Sequence, residues 1–301
     1  MRSPPLWLAE TMDWAQIGSW PNGNSSRRID GPVHRWHVQT AGSGPVLLLL
    51  HGAGGSTHSY RDLIPLLSID YTIVAIDLPG HGFTQLGAGQ RSGLAAMAQD
   101  VERLCAQEGW QPLAIVGHSA GAAVALQMAM DATARGDRPP HVIGLNAALG
   151  EFPGLAGLVF PLMAKALAAM PFATTLFSTT SANPARIKTL IASTGSELDA
   201  TGYDLYRQLV GDKSHVDGTL KMMAQWDLRP LLRALPDYPG PVDLIAGSKD
   251  ATVPVSVSER VAANMPAATL QTLDGLGHLM HEEDPERLAE MIRNILDNRS
   301  Q

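Results

Sequence analysis

A five-residue segment, Gly117-His-Ser-Ala-Gly121, constrains the fold of this chain of 301 residues more than any other feature. An apolar run typical of a buried strand precedes it, and an alanine-rich pattern typical of a helix follows it. A Gly-x-Ser-x-Gly segment in that setting forms so tight a turn that a Cβ on either glycine would collide with neighbouring backbone. The turn strains Ser119 and lifts its hydroxyl clear of the sheet. The sequence therefore predicts that Ser119 is a nucleophile.

Short apolar runs ending in loops recur on both sides of this turn. They cover residues 45–50, 71–76, 141–146, 241–247 and 269–273. Helical patterns separate most of them, and strands that alternate with helices at this spacing form a parallel sheet with right-handed crossovers. In such sheets the ligand site lies beyond the carboxyl ends of the strands. We therefore predict an α/β fold with a mostly parallel central sheet flanked by helices.

The first 40 residues follow a different pattern. Residues 1–25 carry three tryptophans among polar residues and prolines, and we interpret them as an N-terminal extension packed against the body of the protein. Residues 27–40 alternate polar and apolar side chains around Gly31-Pro32, which predicts an antiparallel hairpin. Its polar positions, which include His37 and Gln39, are expected on a face in contact with water.

The alternation of strands and helices stops between residues 151 and 226. This stretch is helical in pattern, rich in aromatic residues and prolines, and lies between two strands of the sheet. We predict that it is a helical cap inserted into a core formed by residues 26–150 and 227–301. Residues 154–177 are apolar, yet they leave no clean membrane span because three residues interrupt them, namely Pro161, Lys165 and Pro171. A lid over a hydrophobic pocket is therefore favoured over a membrane-docking face.

Composition excludes several classes of protein. Hydrophobic residues make up 45% and charged residues 17% of the chain, as in ordinary soluble globular proteins. The net charge of −7, with no basic block, argues against nucleic acid or anionic membrane as a partner. The single cysteine, Cys105, excludes an intramolecular disulfide framework and fits a reducing compartment. The N-terminus lacks an apolar segment typical of a signal peptide, so a cytoplasmic location is expected.

A serine hydroxyl attacks efficiently at neutral pH only when a base removes its proton. Histidine has a suitable pKa, and a carboxylate must hold its ring in the correct tautomer. On folds with this strand–turn–helix, the acid and then the histidine follow the serine along the chain. Asp250, just after a late strand, and His278, in a glycine-flanked loop after the last strand, supply that order. We predict a catalytic triad of Ser119, His278 and Asp250.

Other residues could fill these roles less well. Asn146 ends the strand before the cap but carries no charge, and Asp243 should lie at the wrong end of the sheet. The acidic residues 282–284 follow the histidine too closely to reach its ring. His281 competes with His278 as the base, but the glycines ahead of His278 give its loop the mobility that the role requires.

An acyl-transfer intermediate carries an oxyanion, which needs preorganised N–H donors. The N–H of Ala120, immediately after the serine, is one expected donor, and the loop His51-Gly-Ala-Gly-Gly-Ser56 supplies the other, from Ala53 or alternatively Gly54. No Gly-Lys-Ser/Thr follows that loop, so it is not a phosphate-binding P-loop. No histidine or cysteine cluster has metal-ligand spacing, and neither a metal nor another cofactor is expected.

These motifs, together with Asp77-Leu-Pro-Gly-His-Gly82, resemble those of the α/β-hydrolase superfamily from about residue 27 to residue 298. More narrowly, the chain is similar to the magnesium chelatase accessory proteins of bacteriochlorophyll biosynthesis. The narrower likeness rests on Trp36-His-Val-Gln39 and on residues 47–59, 117–123, 144–148, 222–231 and 276–283. The resemblance implies a porphyrin pathway, a chlorin or porphyrin ester as substrate, and magnesium chelatase subunits as partners.

Three functions are compatible with these residues. The first is a serine hydrolase that cleaves a hydrophobic carboxylic ester under the cap, with substrate contacts from Gly54, His118, Phe152, Phe177 and Trp226. The second is a non-catalytic accessory protein that holds a tetrapyrrole for magnesium chelatase, since aromatic and methionine side chains suit a flat macrocycle. The third is C–C bond hydrolysis or a haloperoxidase-like side activity. Epoxide hydrolysis and dehalogenation are disfavoured because they use a carboxylate nucleophile on this fold.

Overall fold

The computed structural model describes residues 11–150 and 183–298. Their strands form one eight-stranded sheet in the order β1-β2-β4-β3-β5-β6-β7-β8. The strands are β1 (Ser26–Asp30), β2 (Arg35–Ala41), β3 (Val46–Leu50), β4 (Thr72–Ile76), β5 (Pro112–His118), β6 (His141–Leu145), β7 (Val242–Gly247) and β8 (Ala268–Leu273). Strand β2 pairs antiparallel with β1 and β4, and all other pairs are parallel. The expectation of a mostly parallel central sheet is confirmed.

Helices connect the parallel strands and cover both faces of the sheet. The described α-helices are α1 (Leu63–Leu67), α2 (Leu94–Glu108), α3 (Ala120–Ala134), α4 (Pro184–Ala192), α5 (Ala200–Gly211), α6 (Lys213–Gln225), α7 (Arg229–Ala234), α8 (Val255–Asn264), α9 (Met280–Glu283) and α10 (Pro285–Asn298). None of the helices in the described ranges is long and apolar enough to cross a membrane.

Strand β3 shows why the protein has an apolar core on each face of the sheet. Leu47 and Leu49 pack on one face with residues of α1 and α10, whereas Leu48 and Leu50 pack on the other face with residues of α2 and α3. All four side chains are fully buried. Successive side chains of a strand point to opposite faces, so an uninterrupted apolar run fits a sheet covered on both sides. Each such leucine contributes about 1.5–3 kcal/mol through burial.

The expectation that one face of the β1–β2 hairpin contacts water is wrong for two residues on that face. His37 and Gln39 are 0% and 1% exposed. The Nδ1–H of His37 donates to the Asp77 carboxylate at 2.6 Å, and the Gln39 amide donates to the carbonyl oxygen of Pro21 at 2.7 Å. Residues that precede the hairpin cover this face, since the Trp14 ring meets His37 edge-on at 5.6 Å. The alternation predicted the hairpin correctly, but not the chain segment lying over it.

That covering segment forms two short 3-10 turns, Trp14–Ser19 and Gly23–Ser25. Trp20, which is 4% exposed, stands edge-on to Phe83 at a centroid distance of 5.3 Å. Both rings share a small apolar cluster with Leu205 and Leu209 of α5. The segment before the sheet therefore packs against the core and against a helix that follows β6.

Helices α4, α5 and α6 lie in sequence between β6 and β7, within the stretch predicted to form the cap. The predicted substrate-contact residues Phe152 and Phe177 lie outside the described residues. A buried ion pair joins Arg61, before α1, to Glu282 of α9, and the hydroxyl of Tyr206 on α5 donates to Glu282 at 2.8 Å. Burial raises the pKa of Glu282 to about 7, although Arg61 and Tyr206 oppose that rise. Tyr206 thus ties α5 to the core.

Candidate active site at the carboxyl edge of the sheet

The turn between β5 and α3 has a geometry that requires glycine at both of its glycine positions. Ser119 adopts φ 52° and ψ −117°, a region that side-chain-bearing residues rarely occupy. A Cβ on Gly117 would lie 2.5 Å from Cα of Ala122, and one on Gly121 would lie 2.6 Å from the carbonyl oxygen of His51. Only glycine therefore fits at either position. The turn places Ser119 at the carboxyl end of the central strand β5.

Asp250 and His278 meet at the same edge of the sheet. The Nδ1–H of His278 donates to Oδ2 of Asp250 at 2.7 Å, and both residues are less than a tenth exposed. The other carboxylate oxygen accepts the N–H groups of Thr252 and Val253, each at 2.8 Å. Because the carboxylate only accepts, the imidazole carries its hydrogen on Nδ1 and presents the lone pair of Nε2. This is the tautomer that a general base needs.

Asn146 fastens the loop that carries His278. Its side-chain amide donates to the carbonyl oxygens of Gly277 and His278, both at 2.9 Å, and its Oδ1 accepts the N–H of Gly247 at 2.8 Å. Asn146 itself adopts a positive φ of 44°. Sequence reasoning weighed this residue only as an acid and missed its bridging role. The sequence signal available for this role was an amide side chain, which can donate and accept hydrogen bonds at once, at the end of β6.

His118 contacts His278, the histidine that is hydrogen-bonded to Asp250. Its Nε2–H donates to the carbonyl oxygen of His278 at 2.9 Å, and the two rings lie 4.7 Å apart. The residue next to Ser119 therefore contacts His278 directly. His118 is 4% exposed, and burial holds its pKa well below the usual value, so its ring is neutral. Its predicted contact with substrate remains a prediction.

His281, the rejected candidate base, is fully buried beside His118 at a ring distance of 4.3 Å. Burial lowers its pKa to about 3. Neither ring nitrogen has a hydrogen-bond partner in the part of the chain that the structure describes. The carboxylate of Asp250 is instead bonded to His278.

The other rejected acids also have structural partners. Oδ2 of Asp243 lies 2.5 Å from Nε2 of His141, which places this pair at the amino ends of β7 and β6. Glu283 accepts the N–H of Gly277 at 2.8 Å. These acids therefore support the fold rather than the imidazole of His278.

The two predicted oxyanion donors belong to Ala120, which directly follows Ser119, and to Ala53, in the loop after β3. Ala120 is the first residue of α3, where a backbone N–H has no partner within its own helix. Ala53 is exposed in the loop after β3, and no hydrogen bond to either N–H is found within residues 11–150 and 183–298. Gly54, the alternative donor, adopts φ +76°. A Cβ on Gly52 would lie 3.0 Å from Cβ of Ser119, so this loop passes directly beside the serine.

The loop after β3 is anchored on its inner side by His51. The Nδ1–H of His51 donates to the carbonyl oxygen of Gly52 at 2.7 Å, and its Nε2 accepts the N–H of Leu78 at 2.9 Å. Burial lowers the pKa of His51 to about 4, which keeps the ring neutral. This histidine therefore acts as a structural link between two loops at the same edge of the sheet.

Trp226, another predicted substrate contact, directly follows α6. It is half-buried and packs against the large apolar cluster between the sheet and helices α2 and α3. Among the described residues, no group of three or more histidine, cysteine, aspartate or glutamate side chains could hold a metal ion. The groups that the structure places at this edge include Ser119, His278 and Asp250, together with backbone N–H groups of the turn after β5 and the loop after β3.

Comparisons with known proteins show which family this chain belongs to. A model of the alpha/beta hydrolase fold matches residues 45–285. The magnesium-chelatase 30 kDa subunit of Rhodobacter capsulatus is 47% identical over 281 residues, which cover 93% of this chain and 97% of that protein. The pimeloyl-(acyl-carrier protein) methyl ester esterase of Methylococcus capsulatus is 28% identical over 273 residues, covering 86% and 97%.

Solved structures give the same architecture. An esterase from Exiguobacterium antarcticum superposes with a TM-score of 0.71 at 18% identity, covering 90% of this chain and 98% of that one. At this identity the likeness shows the fold alone. The family match over most of the sequence and the shared architecture show that this chain belongs to the α/β-hydrolase fold family.

Proposed function

We propose that this protein is a serine hydrolase that cleaves a hydrophobic carboxylic ester through an acyl-enzyme on Ser119. The observation that carries the proposal is the buried hydrogen bond between Asp250 and His278, at the edge of the sheet where the strained turn presents Ser119. A carboxylate that fixes the tautomer of a histidine has a clear purpose at an edge of the sheet that also presents a serine in need of a base.

The first half of the reaction forms the acyl-enzyme. Oγ of Ser119 attacks the ester carbonyl carbon while Nε2 of His278 takes the hydroxyl proton. The carbonyl oxygen becomes an oxyanion, which the N–H groups of Ala120 and Ala53 stabilise. Each such donor contributes about 3 kcal/mol to the transition state. The imidazolium, stabilised by Asp250, then protonates the departing alcohol as the carbonyl re-forms.

The second half releases the acid. Nε2 of His278 takes a proton from water, whose oxygen attacks the acyl carbon through a second oxyanion in the same site. Collapse of that intermediate breaks the bond to Oγ, and the imidazolium returns its proton to Ser119. Water and ester are consumed, and alcohol and carboxylic acid are formed, with the enzyme unchanged.

The proposed substrate is an ester of a porphyrin or chlorin in (bacterio)chlorophyll biosynthesis, with magnesium chelatase subunits as partners. Support comes from the 47% identity to a protein named magnesium-chelatase 30 kDa subunit across 93% of the chain. The likeness to a methyl ester esterase over 86% of the chain supports ester chemistry. The same chelatase likeness favours a second candidate, a non-catalytic accessory protein that binds a tetrapyrrole and assists magnesium chelatase.

A fluorophosphonate probe separates the two candidates. The probe should label the purified wild-type chain, and Ser119→Ala should abolish labelling while leaving the thermal unfolding midpoint within a few degrees. A folded wild-type protein that is neither labelled nor active on a panel of esters would contradict the hydrolase. Tetrapyrrole binding that is unchanged in Ser119→Ala, together with that inactivity, would support the accessory protein.

A further inference from the structure

The outer half of the loop after β3 is held by a residue from the inserted helices. Residues 52–55 form a turn closed by a hydrogen bond from the N–H of Gly55 to the carbonyl oxygen of Gly52 at 3.0 Å. Gly54 supplies the positive φ that the third position of a type II turn requires. His51 anchors the inner half of the loop. Among the described residues, the side chain that hydrogen-bonds the outer half is His215 of α6, which contacts the carbonyl oxygen of Gly54 at 3.1 Å.

The hydrogen-bond partners of His215 define its tautomer. Its Nδ1 lies 3.0 Å from the backbone nitrogen of Gly82, whose N–H can only donate, so Nδ1 accepts and Nε2 carries the hydrogen given to Gly54. The side chain is 3% exposed, and burial lowers its pKa to about 4. Near neutral pH this ring is a neutral bridge between two loops at the carboxyl edge of the sheet.

Helix α6 is seated closely enough to make that bridge rigid. A Cβ on Gly80, which has φ +79°, would lie 2.9 Å from Cα of Gly218 on α6, and a Cβ on Gly218 would collide with the carbonyl oxygen of Gly80. The backbone of α6 therefore rests directly on the loop after β4. The carboxylate of Asp212 accepts the N–H of His215 at 2.9 Å and fixes the first turn of the helix.

Both ends of the peptide unit between Gly54 and Gly55 are therefore bonded, the carbonyl to His215 and the N–H to Gly52. The N–H of Ala53 belongs to the same peptide unit as the Gly52 carbonyl, which accepts the Nδ1–H of His51 as well as the N–H of Gly55. His51 therefore holds this peptide unit from the inner side, and His215 holds it from the outer side, because it fixes the Gly54–Gly55 unit that supplies the Gly55 N–H. We propose that His215 is a positioning residue that aims the Ala53 N–H at the reacting carbonyl oxygen. Through this contact a helix of the inserted stretch contributes to the rate of the reaction. This inference rests on the proposed hydrolase function.

Two amide substitutions separate the two hydrogen bonds of the ring. The side-chain amide of His215→Asn reaches the position of Nδ1, so it can keep the contact with Gly82 and loses the one with Gly54. The longer side chain of His215→Gln reaches the position of Nε2 and can still donate to Gly54. Tyr206→Phe is the matched control, because it removes a buried hydrogen bond between α5 and Glu282 in which no residue of the loop 51–56 takes part.

We expect His215→Asn to lower kcat for a p-nitrophenyl ester, and the rate of fluorophosphonate labelling, 10- to 100-fold with KM within twofold. Removal of a whole oxyanion donor costs about 100- to 1,000-fold, and here the donor is only released. His215→Gln should stay within fivefold of wild type, and Tyr206→Phe within twofold. Rates are expressed per folded molecule, with the folded fraction measured by near-UV circular dichroism, so that loss of fold is not counted as loss of rate.

Equal losses in His215→Asn and His215→Gln, an equal loss in Tyr206→Phe, or a change confined to KM would overturn the positioning role while leaving the hydrolase in place. A wild-type protein that is neither labelled nor active would overturn the hydrolase and this inference together.

Discussion

The bond between Asp250 and His278 makes the sharpest prediction. Asp250→Asn preserves the shape of the side chain, and its carbonyl oxygen can still accept the N–H groups of Thr252 and Val253. Its NH2 group then faces Nδ1 of His278 across 2.7 Å, where two hydrogens cannot both fit. The imidazole must move its hydrogen to Nε2, which removes the lone pair that accepts the proton of Ser119.

The expected loss follows from this change of tautomer. The equivalent substitution in serine proteases costs about 10⁴-fold in kcat, or about 5 kcal/mol of transition-state stabilisation. Because two of the three hydrogen bonds of the carboxylate survive, the free energy of unfolding should fall by only about 1 kcal/mol. Turnover of a p-nitrophenyl ester and the rate of fluorophosphonate labelling measure the first effect, and urea denaturation measures the second.

Strand β7, which precedes Asp250, contains a second aspartate that serves as a matched control. Asp243 makes a buried hydrogen bond to His141 at 2.5 Å, but at the opposite edge of the sheet. Asp243→Asn should therefore lower the free energy of unfolding and leave kcat within twofold. A folded Asp250→Asn protein that keeps more than a tenth of wild-type kcat would contradict the role of Asp250 in fixing the tautomer of His278. An equal loss of activity in Asp243→Asn would contradict it as well.

Two further predictions concern stability. Gly121→Ala should lower the free energy of unfolding by about 3 kcal/mol, because the new methyl group would collide with the carbonyl oxygen of Leu50. Gly18→Ala is the control and should change this free energy by under about 0.5 kcal/mol, because a Cβ there has no atom within 4 Å. Equal urea midpoints for the two variants would contradict this prediction. Acidification should also destabilise the fold, because burial depresses the pKa of His51 and of His215 from 6.5 to about 4. The unfolded chain binds these protons first, so stability present above pH 6.5 is lost as the pH falls towards 4, by about 2 kcal/mol for each histidine at pH 5. A urea midpoint that is the same at pH 7.5 and pH 5 would refute that assignment.

Sequence patterns predicted the parts of this fold that depend on interactions between residues close together in the chain. The apolar run at residues 45–50 indicated a strand, and Val46–Leu50 is a strand covered on both faces. The glycines around Ser119 predicted its turn because their reason is steric and local. The order of Asp250 and His278 along the chain predicted a contact between residues 28 positions apart, since both follow neighbouring parallel strands.

Sequence reasoning failed where a residue's role depends on partners distant in the chain. His37 looked like a water-facing strand residue, yet it is buried against Asp77, 40 residues later, beneath a segment with no regular pattern. Asn146 was discounted for lacking charge, but its contribution is geometric and requires the loop at Gly277 to be in place. His215 had no sequence signal at all, because its two partners are backbone groups of two separate loops.

The tryptophan before the sheet has a practical consequence for anyone handling this protein. Trp20 shares its cluster with Phe83 of the core and with Leu205 and Leu209 of α5, so residues that supply no catalytic group support a helix of the inserted stretch. A shortened version that starts at the first strand would bare this apolar face to solvent and loosen α5. Under the proposed function, α5 belongs to the stretch that selects the substrate, so trimming the chain to its sheet should alter substrate selection before it alters the chemistry.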